Sequence, residues 1–338
     1  MKIGTRDLAE RILIVAEIGN NHEGSFPDAE ALVRKAALCG VDAVKFQTFQ
    51  TDLFVSRKDA ARHERLKKFE LTQDQFRDLG RLAKSLGLLF VSTPLDLPSA
   101  LFLSAHVDAF KIASGDNDFF PLMERTFQSG RPVIVSTGAS TCEMLDRTIA
   151  FARDKMGSAF AESFALLHCT SAYPAPLEDL QLRAIPFLAS RYHCPIGYSD
   201  HSLGLDACLA AVPLGACIIE KHFTLDKNHS DFRDHKLSAD PADMAELVRR
   251  IRGVESMLGK PGKSLQPSEV PTAAAIRRSI VAARELPAGH VLAPDDLAWI
   301  RPAGGLNPGE EFRLVGRSLK RSVESGERIM MDDVAHPS

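Results

Sequence analysis

ILIVAEIG (12–19) is the first of eight short apolar stretches that are rich in β-branched residues. The others are AVKFQTF (43–49), LLFVSTP (88–94), AFKIAS (109–114), PVIVST (132–137), FALLHCT (164–170), PIGYSD (195–200) and CIIEKHFT (217–224). Stretches of this length and composition are typical of strands that are buried in a sheet. Amphipathic segments separate them, so we expect strands and helices to alternate along most of the chain.

Two of the separating segments carry signals of helix ends. PDAEALVRKAALCG (27–40) has a proline at its start and a glycine at its end, the order that helix capping favours. LTQDQFRDLGRLAKSLG (71–87) contains Thr72 and Gln75 at the spacing of a capping box. Both segments are therefore predicted to be helices.

Eight strand–helix units in about 250 residues match the number and size of a (β/α)8 barrel, also called a TIM barrel. The alternative for such an α/β pattern is a doubly wound open sheet. Sheets of that kind often carry a glycine-rich phosphate turn, GxGxxG, after the first strand, and the sequence lacks this motif. We therefore predict a TIM barrel.

The strand–helix alternation ends near Gly259, which predicts a second domain beyond that point. GKPGKSLQPSEVPT (259–272) is rich in proline, glycine, serine and lysine, a composition typical of linkers. We predict a catalytic barrel at residues 1–258, a linker at 259–276 and a small β-rich domain at 277–338. A domain of about 60 residues is marginal alone, so we expect it to pack against its own barrel or a partner's.

Charge and composition exclude several classes of partner. The net charge of −3 gives no basic field for nucleic acid or an acidic membrane. The N-terminal MKIGTRDLAE lacks the apolar core of a secretory signal, and the longest apolar stretch, 207–219, is shorter than the roughly 18 residues of a membrane span. The six cysteines occur singly, which favours free buried thiols over disulfides or a zinc site. We expect a cytoplasmic protein that binds neither nucleic acid nor membrane.

The active site is expected where the barrel strands end, because TIM-barrel enzymes bind substrates at the carboxyl ends of their strands. Alternation of side chains places Lys45 and Gln47 on one face of the second strand, opposite two apolar neighbours. The polar pair is then predicted to point into the barrel mouth. The same parity groups Glu220 with His222 in the eighth strand.

Two histidines at strand ends suggest a metal site. His201 and His222 end neighbouring strands about 4.8 Å apart, so both imidazoles can reach one ion. Two histidines with a nearby carboxylate and open positions suit a divalent first-row metal that acts as a Lewis acid. The alternative is a pair of hydrogen-bonded histidines in a polar core, but the matched positions favour the metal.

Two lysines in strand interiors suggest an anion site. Lys45 and Lys111 project from strands, where a buried lysine is costly without a partner. The structural interpretation is an ion pair with a glutamate of the first or eighth strand. Serine- and glycine-rich turns at 114–115 and 136–138 favour an anionic ligand instead. Glu17 fits either acid–base chemistry or a plain ion pair, and the sequence does not separate these roles.

Eight motifs, in order along the chain, resemble those of the sialic acid synthase family, which includes the legionaminic and pseudaminic acid synthases. They are EIGNNHEG (17–24), AVKFQTF (43–49), STPLD (92–96), FKIASGD (110–116), VSTG (135–138), HCTSAYPAP (168–176), IGYSDHSLG (196–204) and EKHFTLDKN (220–228). The tail from Arg277, with RRSIVAAREL, IRPAGGL and LVGRSLKRSV, resembles the antifreeze-like (SAF) domain of that family. The resemblance covers nearly the whole chain.

The resemblance implies roles for fourteen residues. His201 and His222 are expected to hold a divalent metal, Mn²⁺ with Mg²⁺ or Co²⁺ as alternatives, and to act in catalysis with Glu17. The residues expected to bind phosphoenolpyruvate are Lys45, Lys111, Ser114, Ser136, Ser171 and Ser199. Those expected to contact the sugar are Gln47, Asp116, Tyr173, Asp234 and, across a domain-swapped homodimer, Arg301 of the partner subunit.

The implied reaction joins phosphoenolpyruvate to the aldehyde of an N-acylated hexosamine, releases phosphate and forms a nine-carbon 2-keto sugar acid. Family members that use N-acetylmannosamine typically have a longer loop after the second strand, with an asparagine that contacts the sugar. Here the loop is only SRKDAARHERLKKFE (56–70), so Arg62, His63 or Arg65 substitutes for that contact, or the sugar differs. The alternative functions are a metal-dependent barrel aldolase or isomerase that acts on a sugar, and a non-catalytic sugar-binding protein.

Overall fold

Eight parallel strands of the computed structural model close into a barrel, which confirms the predicted TIM fold. A short antiparallel pair, β1 (Lys2–Ile3) and β2 (Arg6–Asp7), precedes it. The barrel strands are β3 (Leu13–Gly19), β4 (Ala43–Thr48), β5 (Leu89–Pro94), β6 (Ala109–Ile112), β7 (Val133–Ser136), β8 (Phe164–Cys169), β9 (Ile196–Asp200) and β10 (Ile218–His222). The structure describes residues 1–335; residues 336–338, the end of the predicted second domain, lie outside the described residues.

The barrel interior changes from apolar to polar along the strand direction. Its floor is an apolar cluster of Ile3, Leu8, Leu13, Val15, Ala43, Leu89, Val91, Ala109, Ile134, Ala165, Leu167 and Ile218. Lys45 follows Ala43 by two positions, and Lys111 follows Ala109 by two positions. Because alternate residues share a face, the same strands build the apolar floor and the polar mouth.

The opposite faces of the strands pack against the helices. Val44 and Phe46 of β4 are fully buried in this outer layer, together with Ala29 and Leu32 of the first helix. The predicted parity of β4 is therefore confirmed. Phe46 also packs against the ring of Phe90 from the neighbouring strand, with ring centroids 5.9 Å apart.

Helices follow most of the barrel strands. They are α1 (Phe26–Leu38), α2 (Thr51–Phe54), α3 (Ala60–Phe69), α4 (Gln73–Ser85), α5 (Leu97–Leu103), α6 (Phe120–Phe127), α7 (Cys142–Met156), α8 (Phe160–Ser163), α9 (Ala184–Tyr192), α10 (Asp206–Ala211), α11 (Arg233–Leu237) and α12 (Pro241–Leu258). The capping box predicted for α4 is present, since the Thr72 hydroxyl accepts from the Gln75 amide and the Gln75 side chain accepts from the Thr72 amide. No helix in residues 1–335 is long and apolar enough to cross a membrane.

The segment expected to be a loop at residues 56–70 is largely helical, and that expectation was wrong. Helix α3 begins after Asp59, whose carboxylate accepts a hydrogen bond from the Arg62 amide as an N-cap. Leu66 and Phe69 are buried on its inner face. With only two buried positions and many charges, the segment has little of the apolar periodicity that predicts a helix, so its packing decides the outcome.

The chain forms two compact units, and the second begins at Lys260. The stretch expected to be a linker contains a short helix, α13 (Val270–Ile276), for which a proline in the first turn and three consecutive alanines provide local propensity. Strands β11 (Ser279–Ala282) and β12 (Leu297–Ile300) then pair antiparallel. The small core of this unit is formed by Ile280, Ala282, Leu286, Leu292, Leu297, Leu306, Leu314, Leu319, Val323, Ile329 and Val334.

Candidate active site

A cavity of about 470 Å³ opens at the carboxyl ends of the barrel strands. Thirteen of the fourteen residues singled out from the sequence line it: Glu17, Lys45, Gln47, Lys111, Ser114, Asp116, Ser136, Ser171, Tyr173, Ser199, His201, His222 and Asp234. The remaining one, Arg301, is exposed in the second unit. Residues from seven barrel strands and their following turns thus converge on one cavity, as the strand parity requires.

Lys45 is held between two carboxylates. Its Nζ lies 2.8 Å from Glu17 Oε2 and 3.7 Å from Glu220 Oε1, and all three side chains are buried. Burial works against charge on Glu220, but the positive charges of Lys45 and Lys111 prevail and lower its pKa. Burial raises the pKa of Glu17 despite its contact with Lys45. The ion pair expected as the structural alternative is therefore present for Lys45.

Lys111 has a different environment. Its Nζ donates to Ser136 Oγ at 2.6 Å and to the carbonyl of Ile112 at 3.1 Å. No carboxylate of the described residues lies within ion-pair distance of this ammonium, although the residue is only 3% exposed. Burial lowers its pKa. A buried cation with neutral partners is a ready site for an anionic ligand.

Two of the serines that line the cavity, Ser114 and Ser171, lie very close to Gly138. A side chain at Gly138 would meet Ser171 Oγ at 2.2 Å and Ser114 Oγ at 2.6 Å. The Gly138 amide donates to Ser114 Oγ at 3.1 Å. Ser199 donates to Glu220 at 2.8 Å, which links the serines to the Lys45 network. Glycine at position 138 therefore keeps the hydroxyls close together on one side of the cavity.

The two histidines lie side by side, with ring centroids 5.4 Å apart. His201 Nδ1 is 2.9 Å from the carbonyl of Thr170, so Nδ1 donates and Nε2 carries the free lone pair. His222 Nδ1 is buried and has no hydrogen-bond partner among the described residues. Burial lowers the pKa of His201 and lowers that of His222 to about 3, so both rings are neutral near pH 7. Neutral imidazoles are the form that binds metals.

The residues of the barrel unit expected to contact a sugar line the same cavity as these histidines. The Tyr173 ring lies 4.2 Å from the His201 ring, centroid to centroid. Gln47 lies 3.4 Å from Glu17 and accepts a hydrogen bond from Asn20 at 2.9 Å. Burial, and then the nearby charge of Asp118, raise the pKa of Asp116. The cavity thus combines cations, hydroxyls, imidazoles and acids within one enclosure.

Comparison with known proteins identifies the family of the chain. A profile of the NeuB family matches residues 32–263, more than half of the chain, and a profile of the SAF domain matches residues 277–335. The chain belongs to the NeuB family. The resemblance expected from the sequence motifs is therefore confirmed.

Individual relatives of the NeuB family match along most of the chain. The N,N'-diacetyllegionaminic acid synthase of Legionella pneumophila is 37% identical over 95% of this chain and 94% of its own length. The human N-acetylneuraminate-9-phosphate synthase is 35% identical over 94% of this chain and 91% of its own length. A solved sialic acid synthetase from Leptospira borgpetersenii, in complex with citrate, has a TM-score of 0.72 at 34% identity and covers 78% of this chain and 90% of its own.

Within this NeuB family member, sequence reasoning missed a second group of side chains whose types could ligate a metal. Atoms of Glu23, His229 and His235 that could bind a metal lie within 4.8 Å of one another. His235 Nε2 is 2.9 Å from Glu23 Oε1, and Ser230 also donates to that oxygen, so the group is satisfied internally. Two histidines six positions apart, after β10, were the available signal. Only folding brings Glu23, from the turn after β3, beside them.

Another residue absent from the sequence-based site is Arg233, which lines the cavity next to Asp234. Its guanidinium lies over the Tyr173 ring, 4.5 Å from the centroid. Arg233 does not directly follow a barrel strand, so a search for polar residues at the strand ends did not find it.

Proposed function

We propose that this protein is a nonulosonic acid synthase of the NeuB family. It condenses phosphoenolpyruvate with the open-chain aldehyde of an N-acylated hexosamine, releases phosphate and yields a nine-carbon 2-keto sugar acid. The observation that carries this proposal is the cavity at the barrel mouth, where a buried lysine without a carboxylate partner faces serines and a pair of neutral histidines. The names of the relatives support the same reaction class.

Phosphoenolpyruvate binding is assigned to the side of the cavity that contains Lys45, Lys111 and the serines at positions 114, 136, 171 and 199. The anion would act as the counter-ion that Lys111 lacks. Hydrogen bonds from lysine and hydroxyl groups to an anion are charge-assisted and stronger than those between neutral groups. Holding phosphate and carboxylate there fixes the nucleophilic C3 carbon against the aldehyde, which replaces a bimolecular encounter with a positioned reaction. Lys45 also stays charged because Glu17 and Glu220 flank it.

A divalent metal fits His201 and His222. The Thr170 carbonyl fixes the tautomer of His201, which is the outer-shell arrangement typical of metal-ligating histidines, and His222 Nδ1 has an unmet hydrogen-bonding capacity. When bound, such a metal supplies Lewis-acid polarisation of the aldehyde oxygen. We propose Mn²⁺, with Mg²⁺ or Co²⁺ as alternatives.

Glu17 is assigned to the water step. Carbon–carbon bond formation leaves a positive centre at C2 of the former phosphoenolpyruvate and an alkoxide at the former aldehyde carbon, which takes up a proton. Water adds at C2 and gives a proton to Glu17, and the phosphate then departs with the electrons of the C–O bond as the 2-keto group forms. Burial raises the pKa of Glu17, which is the direction expected of a carboxyl that takes part in proton transfer. Gln47, Asp116, Tyr173 and Asp234 are assigned to the sugar.

We also propose that the protein is cytoplasmic and that it forms a homodimer. All six cysteines are free, which suits a reducing cytoplasm. We assign Arg301 to the N-acyl group of the sugar in the partner subunit of a domain-swapped homodimer. The acceptor differs among the relatives by name, because the human protein is a 9-phosphate synthase and the Legionella protein is a diacetyllegionaminic acid synthase.

The test combines phosphoenolpyruvate and Mn²⁺ with a panel of N-acylated hexosamines, and measures phosphate release and product mass. A nine-carbon 2-keto acid is the expected product. An aldolase would form product from pyruvate without releasing phosphate, and a sugar-binding protein would form none.

The metal assignment is tested with His201→Ala and His222→Ala. Each variant is expected to lose Mn²⁺ binding, followed by electron paramagnetic resonance, and at least about 100-fold in kcat. His106→Ala, a histidine outside the cavity, is the matched control and is expected to keep both. Normal metal-dependent turnover in both cavity variants would refute the assignment.

A further inference from the structure

Glu23, His229 and His235 form a cluster in the segments that follow two barrel strands. Their potential metal-binding atoms lie within 4.8 Å of one another, and the two histidine rings are 5.1 Å apart, centroid to centroid. Of the described residues that line the cavity with His201 and His222, none belongs to this cluster. Glu23 borders an adjoining cavity of about 770 Å³ and His229 is exposed, so solvent reaches the cluster.

The hydrogen bonds of His235 fix which ring nitrogen carries the free lone pair. Nδ1 lies 2.7 Å from Thr224 Oγ1, and the only proton of that hydroxyl is donated to the carbonyl of Asp226 at 3.0 Å. Nδ1 must therefore donate to Thr224, so the lone pair of the neutral ring is on Nε2. Nε2 in turn lies 2.9 Å from Glu23 Oε1. A neutral His235 thus directs its lone pair at a carboxylate oxygen.

A lone pair and a carboxylate oxygen that face each other at this distance require a positive centre. Burial opposes charge on Glu23, but Ser230 and His235 prevail and lower its pKa, so the carboxyl is ionised near pH 7. The positive centre is either a proton on Nε2 or a metal ion that both atoms bind. A proton would leave the adjacent ring of His229 unused, whereas a metal ion would bind all three side chains.

Two of the three side chains are held by a second layer of hydrogen bonds. Thr224 accepts from His235 and donates to a backbone carbonyl, and metal-ligating histidines typically have an outer-shell partner of this kind. Ser230 donates to Glu23 Oε1 and accepts from the amide of Phe232 at 3.0 Å. These contacts orient the donor atoms before an ion arrives.

We infer that Glu23, His229 and His235 form a second metal site of this protein, and that it takes Zn²⁺. Two imidazoles and a carboxylate, with water as the fourth ligand, are a donor set typical of zinc. Ligand atoms at about 2.0–2.2 Å from zinc lie about 3.3 Å from one another, which is close to the 2.9 Å between Nε2 and Oε1. The exposed ring of His229 can rotate to complete the set, and the Nε2 proton passes to solvent.

The zinc ion would connect two segments of the barrel unit. Glu23 lies in the turn after β3, and the two histidines lie in the segment between β10 and α12. The same segment carries Asp234, the neighbour of His235, into the lining of the main cavity. The ion is therefore assigned a structural role, which is to hold the segment that contains Asp234, and this role is independent of the condensation reaction.

The first experiment titrates Zn²⁺ into metal-free, full-length protein that carries His201→Ala/His222→Ala, which removes the other histidine pair. Isothermal titration calorimetry is expected to show one zinc ion per chain, and X-ray absorption spectroscopy is expected to show two imidazole ligands. Addition of His229→Gln should weaken binding by more than about 100-fold, because even the loss of an outer-shell partner costs about 10- to 100-fold. Position 229 is exposed, so this substitution should not affect folding. With His201 and His222 intact, it should lower the zinc stoichiometry by one ion.

The matched control is His106→Gln, which changes a histidine outside both cavities and should keep the zinc affinity. Thr224→Val removes the outer-shell hydroxyl and should weaken binding about 10-fold. Absence of zinc binding in the folded chain that lacks the other histidine pair would overturn the inference. An affinity that His229→Gln and Glu23→Gln both leave unchanged would overturn it as well.

Hydrogen exchange followed by mass spectrometry tests the structural role. Zn²⁺ is expected to slow the exchange of residues 226–235 in the wild type but not in His229→Gln, because an ion bound to both segments opposes their local opening. Equal exchange with and without zinc in the wild type would reject the connection between the two segments.

Discussion

Lys111 and Lys221 are both almost fully buried lysines of barrel strands, yet their surroundings are opposite. Lys221 points to the outer layer, where its Nζ lies 2.7 Å from Asp200 Oδ2 and donates to the carbonyl of Ser202. Asp200 also accepts from Ser202 and Tyr198. Lys111 points into the mouth and has only neutral partners.

The difference separates stability from function within one barrel. A buried charge whose partners are complete contributes to a specific fold, whereas a buried charge without a counter-ion is a cost that a ligand can relieve. The parity of the strands places Lys221 outside the barrel and Lys111 inside it, next to the paired Lys45. Both are lysines with strand neighbours, so composition alone does not distinguish them.

The largest expected effect concerns Lys221. Lys221→Met leaves the carboxylate of Asp200 buried and unpaired, and is expected to lower the free energy of unfolding by about 3–5 kcal/mol. Chemical denaturation followed by circular dichroism measures this. The double variant Asp200→Asn/Lys221→Met removes both charges and should recover part of the loss. A single variant as stable as wild type would contradict the comparison.

Lys111→Met is expected to lower activity and leave stability unchanged or higher, the opposite of Lys221→Met. Loss of the cation at the anion site is expected to lower kcat/KM for phosphoenolpyruvate about 100- to 1,000-fold. The free energy of unfolding should stay the same or increase, because methionine removes a buried charge that has no counter-ion. Steady-state kinetics and denaturation of the same preparation give both values. A destabilisation as large as that of Lys221→Met would show that the two lysines are equivalent.

The serine partners sharpen the comparison at a smaller scale. Ser202→Ala removes a hydroxyl that donates to the buried Asp200 carboxylate at 2.7 Å, and should cost about 1.5–3 kcal/mol of stability. Ser136→Ala removes the acceptor 2.6 Å from Lys111 and should raise the KM for phosphoenolpyruvate about 10-fold. Denaturation and kinetics of both variants test this, and an exchange of the two phenotypes would refute it.

The smallest expected effect is a gradual change of the free energy of unfolding with pH. Burial opposes ionisation of Asp200, but Lys221 and Ser202 prevail and lower its pKa. The stabilisation from this carboxylate is therefore complete above the unfolded-state pKa of about 4, and is lost as the pH falls through the folded-state value. The stability difference between wild type and Asp200→Asn/Lys221→Met should shift in favour of the variant below about pH 4. A stability difference that does not change with pH would show that Asp200 does not change its protonation over this range, and would contradict the prediction.

Much of this arrangement could be predicted from local patterns. The eight strands lie within one or two residues of their predicted bounds, because β-branched runs and polar strand ends are local signals. Alternation then assigned Lys45 and Gln47 to the mouth. Helix α3 was not predicted, since its ten residues carry few apolar positions and depend on the burial of Leu66 and Phe69.

Local sequence patterns were enough to predict the barrel, the polar strand ends and the family motifs, because periodicity and residue type act over a few positions. The tertiary structure alone decided which buried lysine has a carboxylate and which has none, since those contacts join residues from different strands. It also brought Arg62, Arg65 and Arg233 into the lining of one cavity. Charges that are distant in sequence become neighbours only when the barrel closes, and their pairing follows from that closure.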